Sequence, residues 1–140
     1  MSKVTPLLER PFRFRLDSRS GVPVYRQLID QVLVAISSEL LQPGDRLPTV
    51  RQVAVDLSIN INTVVRAYKE LEIRGTLSTQ QGTGTFITDQ EVRQDEADRQ
   101  RRLSQLIGDM LARAGAEGFT VAEVRRGLDE LVPDSDTKRR

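Results

Sequence analysis

Asn60, Asn62, Thr63 and Arg66 place four polar side chains within seven consecutive residues. A carboxamide presents a donor beside an acceptor and can pair bidentately with adenine, whereas a guanidinium does the same with guanine or clamps a phosphate. Further along, Gln80, Gln81, Thr83 and Thr85 surround Gly82 and Gly84. Glycines leave a backbone N–H open to a phosphate, and the flanking side chains are short or neutral donors. Arg51 supplies a cation upstream of both groups. The same residues would also serve as a solvated helix face and a plain turn needing positive φ. Gly82-Thr83-Gly84-Thr85 is no nucleotide-binding loop, because no Gly-Lys-Ser/Thr follows it and no parallel βαβ unit surrounds it.

The elements that must hold these groups are legible from period and punctuation. Phe12-Arg13-Phe14-Arg15-Leu16 alternates at period two and predicts a short strand within an N-terminal extension, residues 1–22. After Pro23 the period becomes helical, with Val24, Leu28, Val32, Ile36 and Leu40 on one face until Pro43-Gly44 stops it. Thr49 is an N-cap type for a second helix carrying Val50, Val53, Ala54 and Leu57. Asn60 is another, for a third helix whose inner face reads Ile61, Val64, Val65, Tyr68 and Leu71 and which Gly75 ends. That assignment leaves Asn62, Thr63, Arg66, Lys69 and Glu70 facing outward. Two β-prone runs, Thr76 to Gln80 and Thr85 to Thr88, flank the glycine-rich tip and predict a hairpin. The fold class expected is mainly α with a small β-hairpin, an N-terminal winged helix-turn-helix over residues 23–88. Its third helix is of a kind that enters a major groove.

Beyond the hairpin, residues 89–102 are almost wholly polar. Leu103, Leu106, Ile107, Met110, Leu111 and Ala114 then trace an apolar stripe at helical spacing. Gly115 and Gly118 are expected to break that helix. Thr120 to Glu123 has capping-box spacing, and Val121, Val124, Leu128 and Leu131 mark a last helix. Residues 89–132 thus form a two-helix dimerisation segment, with Leu103, Leu106, Ile107, Met110 and Leu111 as its contact. Two short helices cannot cover their own apolar faces, so packing within the segment and contact with a second copy share the stripe. The tail, residues 133–140, is expected to be disordered.

Composition removes most alternatives. The 140 residues contain no Cys and no His, which excludes disulfides, thiolate or imidazole metal sites and histidine acid/base chemistry. No cofactor is expected. Residues 1–88 hold 11 Lys/Arg against 8 Asp/Glu (+3) and residues 89–140 hold 10 against 12 (−2), so a polyanion would meet the front half. No apolar run approaches the roughly 20 residues of a bilayer span, and Met1 to Arg15 lack a signal-peptide centre, so no membrane partner and a cytoplasmic location are expected.

The runs Val22-Pro23-Val24-Tyr25-Arg26-Gln27-Leu28 and Leu41-Gln42-Pro43-Gly44-Asp45-Arg46-Leu47-Pro48-Thr49-Val50-Arg51-Gln52-Val53-Ala54 resemble the start of a GntR-family winged-helix repressor. Asn60 to Glu72 and Gly82-Thr83-Gly84-Thr85-Phe86-Ile87 complete the pattern over roughly residues 12–88. Several motifs agree in order and spacing, and the Asn-x-Asn-Thr-Val start of the third helix is similar to the YtrA-like subfamily. By that resemblance, Arg51, Asn62, Thr63, Arg66, Gly82, Thr83 and Gly84 contact DNA and the C-terminal helices mediate dimerisation; Asn60 at the helix start and Gln80 beside the tip complete the DNA-binding set expected from the residues. There is a departure: many members place arginine where Ile61 and Val65 stand, so those base contacts do not transfer. Subfamily members also often carry proline in place of Ile61. Larger members enclose a metabolite in an effector domain, which 52 residues with Phe119 as their one aromatic cannot build.

The function expected is a sequence-specific, double-stranded DNA-binding transcriptional regulator, a repressor acting as a homodimer on a palindromic operator. Release would come through a small-molecule effector or a change in domain orientation; the residues name no effector. A protein-interaction adaptor is the competing reading, since winged helices also dock proteins and the net charge of +1 exerts little pull. An enzyme is the weakest, because Asp95, Glu96 and Asp98 lie on a polar helix face with nothing to tune them.

Overall fold

The computed structural model describes residues 12–89 and 95–132, and the chain divides into two units between residues 91 and 92. The first unit contains helices α1 (Val24–Ser37), α2 (Val50–Leu57) and α3 (Ile61–Ile73), then strands β1 (Leu77–Gln80) and β2 (Gly84–Ile87). The second contains α4 (Glu96–Ala116) and α5 (Val121–Leu131). The described residues are therefore mostly helical with one antiparallel hairpin, as the periodicities predict. The expected tail over residues 133–140 and the first eleven residues of the N-terminal extension lie outside the described residues.

The core of the first unit is aliphatic and sits where α3 crosses α1 and α2. Leu28, Ile29 and Val32 of α1 meet Val64, Ala67 and Leu71 of α3, while Val53 of α2 and Leu77 and Ile87 of the hairpin close the sides. Both helix starts are capped as their residue types demand. Thr49 Oγ1 accepts from the N–H of Gln52 at 3.1 Å, and the Gln52 carboxamide accepts from the N–H of Thr49 at 3.0 Å, completing a capping box. Asn60 Oδ1 accepts from the N–H of Asn62 at 2.8 Å. The turn between α2 and α3 is Ser58-Ile59-Asn60, with Ser58 left-handed at φ 55°. Tyr68 spans the interior: its ring is buried beside Phe14 and its hydroxyl donates to the carbonyl of Pro48, which fixes the approach to α2. Burial pushes this phenol well above its ordinary pKa, because the phenolate would lose its water.

Three expectations about the first unit need correction. Phe12–Leu16 is not a strand. The edge of β2 it might have joined is taken by the chain around Arg46, where Gly44 N–H donates to Ile87 O and Leu47 N–H to Thr85 O. The N-terminal segment is held instead by carboxamides of α1. Gln31 accepts from the N–H of Arg15 and donates to its carbonyl, as a neighbouring strand would, and Gln27 does the same for Asp17. Four residues apart, the two glutamines share one helix face. The second correction is that α1 ends at Ser37, not Leu40. Glu39 turns left-handed at φ 63°, which leaves Leu40 exposed and buries Leu41 in its place. Third, Ile61 and Val65 do not belong to the buried face of α3; Val64, Ala67, Tyr68 and Leu71 do.

In the second unit, α4 begins inside the polar stretch and runs past Gly115, so only Gly118, at φ 90°, ends it. A helix tolerates an interior glycine at a cost of about 1 kcal/mol. Thr120 and Glu123 form the expected capping box at the start of α5. Neither helix buries a single residue, although Leu103, Leu106, Ile107, Met110, Val121 and Leu128 are all large and apolar.

Candidate nucleic-acid interface

Helix α3 is amphipathic, and its outward side carries the polar groups. Asn62, Arg66 and Lys69 are exposed, while Thr63 and Glu70 are half-buried. Asn60 stands just before the helix with its carboxamide oxygen committed to the cap, so only its amide hydrogens remain free to reach outward. Arg66 stacks on an aromatic ring. Its guanidinium carbon lies 3.7 Å from the ring centroid of Tyr25 on α1. Such stacking contributes about 0.5–1 kcal/mol at an exposed site and leaves the N–H edge of the fork available. Tyr25 is thus a contact of Arg66 that the sequence pattern did not flag, because it depends on how α1 crosses α3.

The hairpin pairs Leu77 with Ile87 and Gln80 with Gly84, which confines its tip to Gln81-Gly82-Thr83. Thr83 N–H donates to Gln80 O at 2.9 Å, closing the turn, and the hydroxyls of Thr79 and Thr85 hydrogen-bond across the strands at 3.2 Å. Gly82 has φ 80° and Gly84 φ 137°, conformations that side chains disfavour. Gly84 has a second reason to be glycine: a Cβ there would lie 2.8 Å from Arg46 Nε. The Arg46 side chain therefore passes over the wing strand through space that glycine vacates.

Between α3 and the hairpin runs an open groove of about 660 Å³. Gln80, Gly82, Thr83 and Gly84 line it together with Arg46, Val65, Lys69 and Glu72. Asn62, Thr63 and Arg66 are not among its lining residues, and neither is Arg51, which is exposed as the second residue of α2. Two sets of donors result, one around the groove and one on the outer and Tyr25 sides of α3. Arg46 and Lys69 join the first set and were not expected there. The signal for Lys69 was its outward helical spacing; Arg46 had none, since only the packing over Gly84 brings it to the wing.

Residues 24–87 match the family described as bacterial regulatory proteins, gntR family. Over 120 residues the chain is 30% identical to the HTH-type transcriptional repressor YtrA of Bacillus subtilis (strain 168), an alignment covering 86% of this chain and 92% of that one. Among solved structures, it is similar to a transcriptional antiterminator from Listeria monocytogenes EGD-e, with a TM-score of 0.64, 25% identity and coverage of 88% and 92% of the two chains. It is also similar to YtrA from Sulfolobus acidocaldarius, a GntR-family transcription factor, with a TM-score of 0.54, 30% identity and coverage of 72% and 99%.

Proposed function

The chain belongs to the GntR family of bacterial regulatory proteins, a DNA-binding transcriptional regulator and not an enzyme, and we propose that it represses transcription as a homodimer on a palindromic operator. The observation that carries this reading is the outward polar side of α3 set beside a glycine-tipped wing with no acidic residue from Leu77 to Thr88. Asn62, Thr63 and Arg66 face the major groove in this reading. Arg51, Gln80, Gly82, Thr83 and Gly84 hold the flanking phosphates, and Asn60 sets the entry of the helix by its cap. Residues Leu103, Leu106, Ile107, Met110 and Leu111 supply the contact with the second copy, which would bury the apolar side that α4 leaves open. Repression is supported by the Bacillus subtilis relative, which is described as a repressor and aligned over nearly its whole length. A two-headed dimer occupying a promoter blocks polymerase without any catalytic step. Release requires an effector, or a change in domain orientation, that favours a DNA-incompetent arrangement.

The test is footprinting of the full chain on the DNA upstream of its own gene, with random duplex and single-stranded RNA as competitors over a salt series. The expected result is a two-fold symmetric footprint holding two protomers, with affinity falling steeply as salt rises. Preference for RNA would replace repression by antitermination, and the absence of salt-dependent duplex binding would leave the protein-interaction adaptor.

A further inference from the structure

We propose that Ile61 and Val65 read thymine C5-methyl groups, so that apolar contact on the recognition helix sets part of the operator preference. The inference rests on the reading of α3 as the helix that enters the major groove. Ile61 is 39% exposed and Val65 42% exposed, although both are aliphatic and lie in the first two turns of a helix whose core side is already filled by Val64, Ala67, Tyr68 and Leu71. Four residues apart, they form one stripe. Asn62 adjoins that stripe, Lys69 continues it by one turn, and Val65 lines the groove shared with the wing.

Single exposed aliphatics are common and need no explanation; Val55 and Ile73 are such cases here. Ile61 and Val65 differ in being paired on the N-terminal half of α3, whose other exposed side chains are Asn62 and Arg66, while Glu70 and Glu72 lie toward its C-terminal end. When that surface docks on a duplex, the pair loses water against base edges whose one apolar feature is the thymine methyl. Any other base would set these side chains against polar edge groups left without partners. Both residues are β-branched and stiff at χ1, so the apolar surface they present is fixed in place and discriminates by shape.

The probe is an operator selected by the full chain from a random duplex library, with each thymine replaced singly by deoxyuridine. That change deletes the methyl and leaves every hydrogen-bonding group in place. Wild type is expected to lose about fourfold in affinity at one or two positions in each half-site, which is one methyl group buried at about 0.8 kcal/mol. Val65→Ala and Ile61→Ala, both at exposed positions, should each erase the sensitivity at one of these. The proposal is overturned if wild type binds every deoxyuridine duplex as tightly as the parent, if the selected half-site contains no thymine, or if the sensitivity persists in both variants. In those outcomes salt-dependent operator binding survives, so the DNA-binding reading stands. Failure to select any duplex removes both.

Discussion

Replacing Leu106 and Met110 by Asp should convert the protein from a dimer to a monomer without unfolding either unit. Leu106 is 67% and Met110 39% exposed on α4 of a single copy, so a partner covering the stripe removes roughly one full apolar side chain per protomer from water at these two positions. Burying such a side chain contributes about 1.5–3 kcal/mol, and the two-fold axis counts it twice, giving about 3–6 kcal/mol of association energy. The loss is two to four decades in the dimer dissociation constant, before the added cost of bringing four carboxylates toward an interface. The two positions stand four apart, which puts them on one side of the helix. Sedimentation velocity or light scattering from micromolar to millimolar concentration reads the mass directly, and circular dichroism checks that the helices remain. Val55→Asp is the control: Val55 is 71% exposed, more than either, but lies on α2. A doubly substituted protein that still sediments as a dimer at micromolar concentration, or a Val55→Asp variant that becomes monomeric, would refute the placement of the contact on α4.

Three further outcomes follow from the first unit. Tyr68→Phe leaves the Pro48 carbonyl unpartnered and should lower stability by about 1–2 kcal/mol, read as a fall of several degrees in Tm. Because burial raises the folded phenol above its ordinary pKa, the unfolded chain ionises first; that part of the stability is intact below about pH 10 and declines as pH rises above it in wild type, whereas the phenylalanine variant has no such slope in denaturant titrations across alkaline pH. Gly84→Val should cost about 1–3 kcal/mol locally, by forcing a side chain into φ 137° and against Arg46, and should weaken duplex binding while the near-native NMR spectrum of the helices persists. Arg51→Ala should weaken binding equally on operator and random duplex and lower the magnitude of the salt slope by about one unit; a loss confined to the operator would make Arg51 a base reader.

The sequence by itself determined the features whose causes lie within a few residues. Thr49 with Gln52, Asn60 with Asn62, and Thr120 with Glu123 cap their helices because the donor and acceptor are two or three positions apart, wherever the helix later packs. The tip at Gly82 and Gly84 follows from backbone torsions that glycine alone adopts easily, and the order helix, turn, helix, hairpin follows from a change of period from 3.6 to 2. The polar residues of α3 proposed to meet DNA, Asn62, Thr63 and Arg66, were legible in the same way, as groups outside an apolar period.

What only the tertiary structure decided is which partner each face meets. Period marks Ile61 and Val65 as apolar but cannot tell inside from flank, since the width of the buried stripe is set by how α1 and α2 close on α3. Alternation at Phe12–Leu16 predicts a strand, yet the carboxamides of Gln27 and Gln31 on α1, and not a sheet edge, satisfy the backbone of Arg15 and Asp17. Arg46 over Gly84 and Arg66 over Tyr25 join residues 38 and 41 positions apart. Such pairs are created by the crossing of elements and not by any local propensity, so no pattern along the chain announces them.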